Sequence, residues 1–86
     1  MIVFAFALAA SASALPPAVT RFIERRQGCD HWRGEYSEDP VRRRQIEAGA
    51  KKECTGSDRE LDRLRKLYRR NPAVRDALKD FEKVEL

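Results

Sequence analysis

Residues 57–68 read SDRELDRLRKLY, and their pattern predicts the fold class more clearly than any other part of the chain. The apolar side chains recur at intervals of three and four, which places them along one face of an α-helix. They are Leu61, Leu64, Leu67 and Tyr68. Acidic residues lie at the start of this segment and basic residues at its end, as the helix dipole favours. Ser57 and Glu60 match a capping box, so we expect Ser57 to cap this helix.

The N-terminal half predicts two more helices. Pro17 suits a first helical position and Gly28 suits a C-terminal stop, so we expect the first helix over residues 17–27. The second begins at Asp39-Pro40, with the carboxylate of Asp39 as its cap. Its narrow apolar stripe consists of Ile46, Ala50 and Cys54.

A further helix is expected after Asn71-Pro72, where Asn71 caps and Pro72 takes the first helical position. Its apolar side chains are Val74, Ala77, Leu78 and Phe81. No segment alternates in the manner of a strand. The sequence therefore predicts an all-α fold of three to four short helices around one small core.

The first 20 residues carry no charged side chain, and residues 2–10 form an apolar run. Small residues at Ala12 and Ala14 suit a signal peptidase, so we expect a signal peptide over residues 1–14. The run is shorter than the roughly 20 residues of a membrane span, so we expect no stable span. An uncleaved anchor and a buried N-terminal helix are the alternatives. Residues 15–86 would form a single small helical domain, too small for a deep active site.

Cys29 and Cys54 are the only cysteines in the chain. An even pair behind a secretory leader favours one disulfide, and hence a periplasmic or secreted protein. Closing this loop would stabilise the domain by about 3.5 kcal/mol. A metal site that adds His31 is disfavoured because zinc prefers four ligands at other spacings. Free thiols are the remaining alternative, and we predict neither a metal nor a cofactor.

Residues 29–38 have no helical pattern and hold the only His and the only Trp. Irregular segments held by a rigid scaffold often carry function, so we predict a binding patch here. Its residues are His31, Trp32, Arg33, Glu35 and Tyr36. In the alternative interpretation, Trp32 belongs to the core and packs on the disulfide.

Catalysis is not predicted, because no activated nucleophile accompanies His31 and its neighbouring carboxylates. The chain has 18 Lys/Arg and 14 Asp/Glu, for a net charge of +4. The two signs are interleaved, which argues against nucleic acid as a partner. An alternative function is electrostatic binding of anionic envelope polymers or a lipid surface through the second and third helices.

Two linked motifs carry a resemblance: Cys-x-His-Trp-x-Gly-Glu, then Cys-x-Gly-x-Asp-x-x-Leu-x-x-Leu-x-x-x-Tyr. The residues are Cys29, His31, Trp32, Gly34, Glu35, Cys54, Gly56, Asp58, Leu61, Leu64 and Tyr68. This pattern resembles that of small exported bacterial proteins of unknown function. More distantly, the Cys pair and the Leu-rich helix ending in Tyr are similar to the helical, disulfide-bonded lysozyme-inhibitor-like proteins of the bacterial envelope. The resemblance implies an exported helical build and an inhibitor-like role.

The function that we expect is non-enzymatic: a small periplasmic helical module that binds another envelope component, either a protein or an anionic component. Such a small core also allows a weak homodimer, in which the Leu-rich stripes of two copies complete each other.

Overall fold

The computed structural model describes residues 15–85, which contain four α-helices and no strand. The helices are α1 (Pro17–Arg33), α2 (Pro40–Cys54), α3 (Ser57–Leu67) and α4 (Pro72–Leu78). The predicted small all-α fold with one disulfide is confirmed in this part of the chain. Helices α1 to α4 are all too short or too polar to cross a membrane. The predicted signal peptide, residues 1–14, lies outside the described residues.

The core lies where the N-terminal half of α1 meets α3 and α4. Two side chains from each of these helices are buried in one cluster: Val19 and Phe22, Leu61 and Leu64, Val74 and Leu78. Leu67, predicted to join this stripe, is instead 59% exposed. A helical turn takes 3.6 residues, so Tyr68 rather than Leu67 comes back into line with Leu61 and packs against the cluster.

Helix α1 is longer than predicted, because it continues through Gly28 to Arg33. A side chain at position 28 would lie beside the side chain of Glu53 in α2, at the level where the disulfide joins the two helices. The Cα atoms of Cys29 and Cys54 are 4.9 Å apart. Glycine permits a helix to end but does not require it, and here Gly28 lies inside α1.

Helix α2 packs along the C-terminal half of α1. The Cys29–Cys54 disulfide joins them, which confirms the predicted pairing. Ile46 is the side chain of α2 that is buried. At the end of α2, Arg25 donates hydrogen bonds to the carbonyl oxygens of Lys52 (3.0 Å) and Thr55 (2.7 Å). At its start, Asp39 accepts from the backbone N–H of Arg42, so the predicted cap is confirmed.

The predicted capping box at the start of α3 is wrong. Gly56 takes the cap position with a φ of 84°, which is costly for other residues, so Ser57 is already helical. The hydroxyl of Ser57 is buried without a hydrogen-bond partner among the described residues, and Glu60 bonds Arg63 instead. The carboxylate of Glu85 accepts from the backbone N–H groups of Gly56 and Asp58. The C-terminal segment thus supplies the cap.

Residues 79–85 return across the helices after α4. Asn71 accepts from the N–H of Val74, which confirms the predicted cap of α4. The helix ends at Leu78, so Phe81 lies beyond it rather than on its face. The ring of Phe81 meets Phe22 edge-on, with the centroids 5.5 Å apart, and covers the guanidinium of Arg26. Residues 79–85 therefore cover one side of the core.

Candidate binding site

The five residues predicted to form a binding patch lie together at one end of the α1–α2 pair. They are His31, Trp32 and Arg33 in the last turn of α1, and Glu35 and Tyr36 in the connection to α2. We call residues 31–42, which run from this turn into the first turn of α2, the α1–α2 tip. The prediction of an irregular segment over residues 29–38 is wrong for 29–33, which are helical, and confirmed for 34–38. The helix persists because its close packing against α2 continues past Gly28.

Trp32 is half-buried between the two helices. Its indole lies so close over Gly49 of α2 that any side chain at position 49 would overlap it. The guanidinium carbon of Arg42 lies 5.5 Å from the centre of the indole ring, within the range of a cation–π contact. The imidazole of His31 meets the indole edge-on, with ring centroids 5.4 Å apart. Trp32 therefore holds the helices together and supports the surface of the tip.

Glu35 connects both sides of the tip. Its carboxylate lies 3.3 Å from the guanidinium of Arg42 and 4.0 Å from Nε2 of His31. Arg42 also donates to the side-chain oxygen of Gln45, at 3.2 Å. Because Arg42 contacts both Glu35 and the indole of Trp32, it ties the connection to the start of α2.

Arg33 is the last residue of α1, and its ion pair lies within that helix. Its guanidinium is 3.2 Å from the carboxylate of Asp30, which also accepts from Nε of the buried Arg26 at 3.1 Å. About half of the Arg33 side chain is exposed. A guanidinium has five N–H donors, so most of those on Arg33 stay free for a partner.

Tyr36 and Val41 form the apolar part of the tip surface. Tyr36 is 80% exposed and Val41 is 54% exposed. Sequence reasoning identified Tyr36 but missed Val41. A signal was present, because Val41 falls away from the buried stripe of α2 that Ile46 defines, and so must face outward.

The tip combines apolar and polar side chains. Both sulfur atoms nearby are joined in the disulfide, and residues 15–85 contain no cluster of three His, Cys, Asp or Glu side chains suited to a metal ion. What the tip offers is an exposed phenol, an aliphatic side chain, an imidazole and a guanidinium. Groups of these kinds are common in protein interfaces.

Helices α2 and α3 each have a basic face outside the tip. On α2 the exposed cations are Arg43, Arg44, Lys51 and Lys52. On α3, Arg63 makes two hydrogen bonds to Glu60. The hydrogen bond from Arg63, with the charges of Arg25 and Arg21, lowers the pKa of Glu60 against the opposing effect of burial. Glu60 therefore stays ionised and neutralises part of this face.

Comparisons with protein-family models, with curated proteins and with solved structures give no match to this chain.

Proposed function

We propose that this protein is a small exported binding module that contacts another protein through the α1–α2 tip. The observation that carries the proposal is Tyr36, a phenol 80% exposed on a short connection between two covalently linked helices. A tyrosine side chain offers a large contact area but has only two χ angles, so it loses little conformational freedom when a partner covers it. Tyrosine is for this reason enriched among the residues that dominate binding energy.

The surroundings of Tyr36 support the same function. Val41 adds apolar area to the tip, and His31 and Arg33 add polar groups to it, a composition typical of the centre and rim of a protein interface. The indole of Trp32 and the bridge between Glu35 and Arg42 hold this surface in one arrangement. Preorganisation of this kind lowers the entropy lost on association.

We place the protein in an oxidising extracytoplasmic compartment. The disulfide and the apolar leader pattern of residues 1–14 support this placement, because structural disulfides persist in such compartments. The resemblance to lysozyme-inhibitor-like envelope proteins suggests a partner that acts on the cell wall. Binding through the tip would then block such an enzyme or hold it in place.

Site-specific photo-crosslinking in living cells tests this function. The variant Tyr36→p-benzoylphenylalanine keeps a ring at the tip and forms a covalent bond with whatever protein covers it. The matched control places the same reagent at Glu47, an exposed position of α2 outside the tip. We expect one defined adduct from position 36 and none from position 47.

The partner identified in this way is then purified and titrated with variants of the tip. Tyr36→Ala and Val41→Ser should each weaken binding at least about tenfold, while Glu47→Ala should leave the affinity unchanged. Purified lysozyme is titrated in parallel, since the resemblance suggests it. Equal crosslinking from both positions, or equal affinity of all three variants, would contradict a binding site at the tip.

A further inference from the structure

The corner between α3 and α4 carries a high density of positive charge. From residue 63 to residue 75 the chain has six basic side chains and no acidic one. They are Arg63, Arg65, Lys66, Arg69, Arg70 and Arg75. The net charge of the whole chain is only +4, so this corner is a local concentration of cations.

A cleft of about 270 Å³ lies at this corner. It is lined by Arg65, Tyr68, Arg69, Val74, Arg75 and Leu78. Val74 and Leu78 belong to the buried core, so the base of the cleft is apolar and rigid. Three guanidinium groups and one phenol surround it, and none of the carboxylates in the described part of the chain lines it.

The three arginines of the cleft differ from most cations around them. Arg63, Lys79 and Lys83 each pair with a carboxylate, of Glu60, Asp76 and Asp62 respectively. Within residues 15–85, Arg65, Arg69 and Arg75 make no such ion pair. Their charges therefore add to a positive potential in the cleft, which attracts an anion.

Arg65 is already held in place. Its Nη2 donates to the carbonyl oxygens of Leu78 (2.9 Å) and Phe81 (2.6 Å). A guanidinium fixed by two carbonyl groups keeps its charge and its other donors. The cleft thus has one anchored cation, with Arg69 and Arg75 able to close on a ligand.

We propose that the α3–α4 cleft binds a phosphate group. A planar guanidinium presents two parallel N–H donors to phosphate oxygens, and several of them together make a strong phosphate site. The Tyr68 hydroxyl supplies one more donor. The volume suits a phosphate with a small organic substituent, as a soluble phosphomonoester or a phospholipid headgroup presents. This site is separate from the tip and does not depend on the function proposed for it.

Phosphate titrations followed by NMR of the oxidised protein test the proposal. Inorganic phosphate and glycerol phosphate represent the soluble source, and vesicles of phosphatidylglycerol represent the lipid source, with phosphatidylcholine vesicles as reference. The site variant is Arg69→Gln with Arg75→Gln. The control is Arg43→Gln with Arg44→Gln, which removes the same charge from the exposed face of α2.

We expect resonances of Tyr68 and Arg65 to shift with the phosphate-bearing probe. The site variant should weaken binding by about tenfold or more, and the α2 variant by less than about twofold. Binding of soluble phosphates would identify the soluble source, and binding of phosphatidylglycerol alone would identify the lipid source. If both variants weaken binding of the probe equally, binding depends only on overall charge, and the proposal is overturned. The absence of binding to every probe would overturn it as well.

The side chains of Arg43, Arg44, Arg69 and Arg75 are exposed and form no hydrogen bond or ion pair among residues 15–85, so both variants should fold. Circular dichroism and the unfolding midpoint check this. Tyr36→Ala should bind the phosphate probes like the unchanged protein, which separates the cleft from the tip.

Discussion

The indole of Trp32 occupies the space that the missing side chain of Gly49 leaves on α2. This contact and the disulfide are two separate links between α1 and α2, one near the tip and one at the end of α2. Helix α2 contributes a single buried side chain, Ile46, among the described residues. The position of α2, and therefore the shape of the tip, depends on these few contacts.

Gly49→Ala should destabilise the protein by about 1–3 kcal/mol, because the added methyl group overlaps the indole. The effect opposes helix propensity, by which alanine is better than glycine by about 1 kcal/mol. Gly28→Ala is the matched control in α1, where the nearest atom is the flexible carboxylate of Glu53, at 3.3 Å. The control should keep or slightly raise stability in urea unfolding. If Gly49→Ala is also as stable as the unchanged protein, the close packing of Trp32 is refuted.

Trp32→Ala and Tyr36→Ala should separate packing from surface recognition. We expect Trp32→Ala to lower the free energy of unfolding by about 2–4 kcal/mol, because it empties the space between α1 and α2. Tyr36→Ala should change it by no more than about 0.5 kcal/mol, as is usual for an exposed side chain. Urea unfolding of both variants provides the measurement. A Trp32→Ala variant of full stability would instead make Trp32 a surface residue.

Replacing both cysteines, as Cys29→Ala with Cys54→Ala, should cost about 3–4 kcal/mol, since the bond closes a loop with a sequence separation of 25. The loss should appear first in α2, because this helix packs mainly on α1 and contributes little to the core. Hydrogen exchange should show the amides of α2 losing protection well before those of α3. Reduction of the unchanged protein is the matched comparison. Uniform loss of protection in both helices would contradict this order.

Glu85→Ala should lower stability by about 0.5–2 kcal/mol, because it leaves the N–H groups of Gly56 and Asp58 at the start of α3 without their acceptor. Asp58 accepts in return from the N–H groups of Val84 and Glu85, at 2.8 Å each. Glu82→Ala, at an exposed position of the same segment, is the control and should have little effect. Unfolding in urea compares the two variants, and equal stability would refute the cap.

The ion pair of Glu60 with Arg63 should make stability depend on pH in the acid range. Its hydrogen bond to Arg63 holds the pKa of Glu60 below the ordinary 4.5 in the folded protein. The stabilisation is therefore present above about pH 4.5 and is lost as the pH falls through the lowered pKa. The effect is small because both side chains are partly exposed.

Glu60→Gln should remove this part of the pH dependence and leave the rest of the acid profile unchanged. Arg63→Gln, which removes the other partner of the same ion pair, should give a similar pH profile. Urea midpoints measured from neutral to acid pH compare the three proteins. A Glu60→Gln profile that overlies that of the unchanged protein would contradict the assignment.

Local signals in the sequence predicted most of the helix starts. Asp39 and Asn71 each precede a proline and cap a helix in the structure, as expected. These features depend on a few neighbouring residues, so no tertiary information is needed. The cysteine pair was predictable for another reason, because only one intramolecular pairing exists.

Predictions failed where a distant segment supplies the deciding contact. Gly28 looked like a helix end, but α2 packs against it and α1 continues. Ser57 looked like a cap, but Glu85, 27 residues beyond Asp58, performs that role. The residues of the candidate patch were proposed from their unusual composition. The sequence did not indicate which of their side chains support the tip and which are exposed.

The sequence by itself determined the helical class, the disulfide and most members of the three apolar stripes expected on α2, α3 and α4, because these follow from local capping and from periodicity. Only the tertiary structure decided that Trp32 packs on Gly49, that Tyr36 and Val41 are left exposed, and that three arginines surround one cleft. Such outcomes depend on which surfaces meet in space. Short-range rules contain no information on the distance between residues that are far apart in the chain.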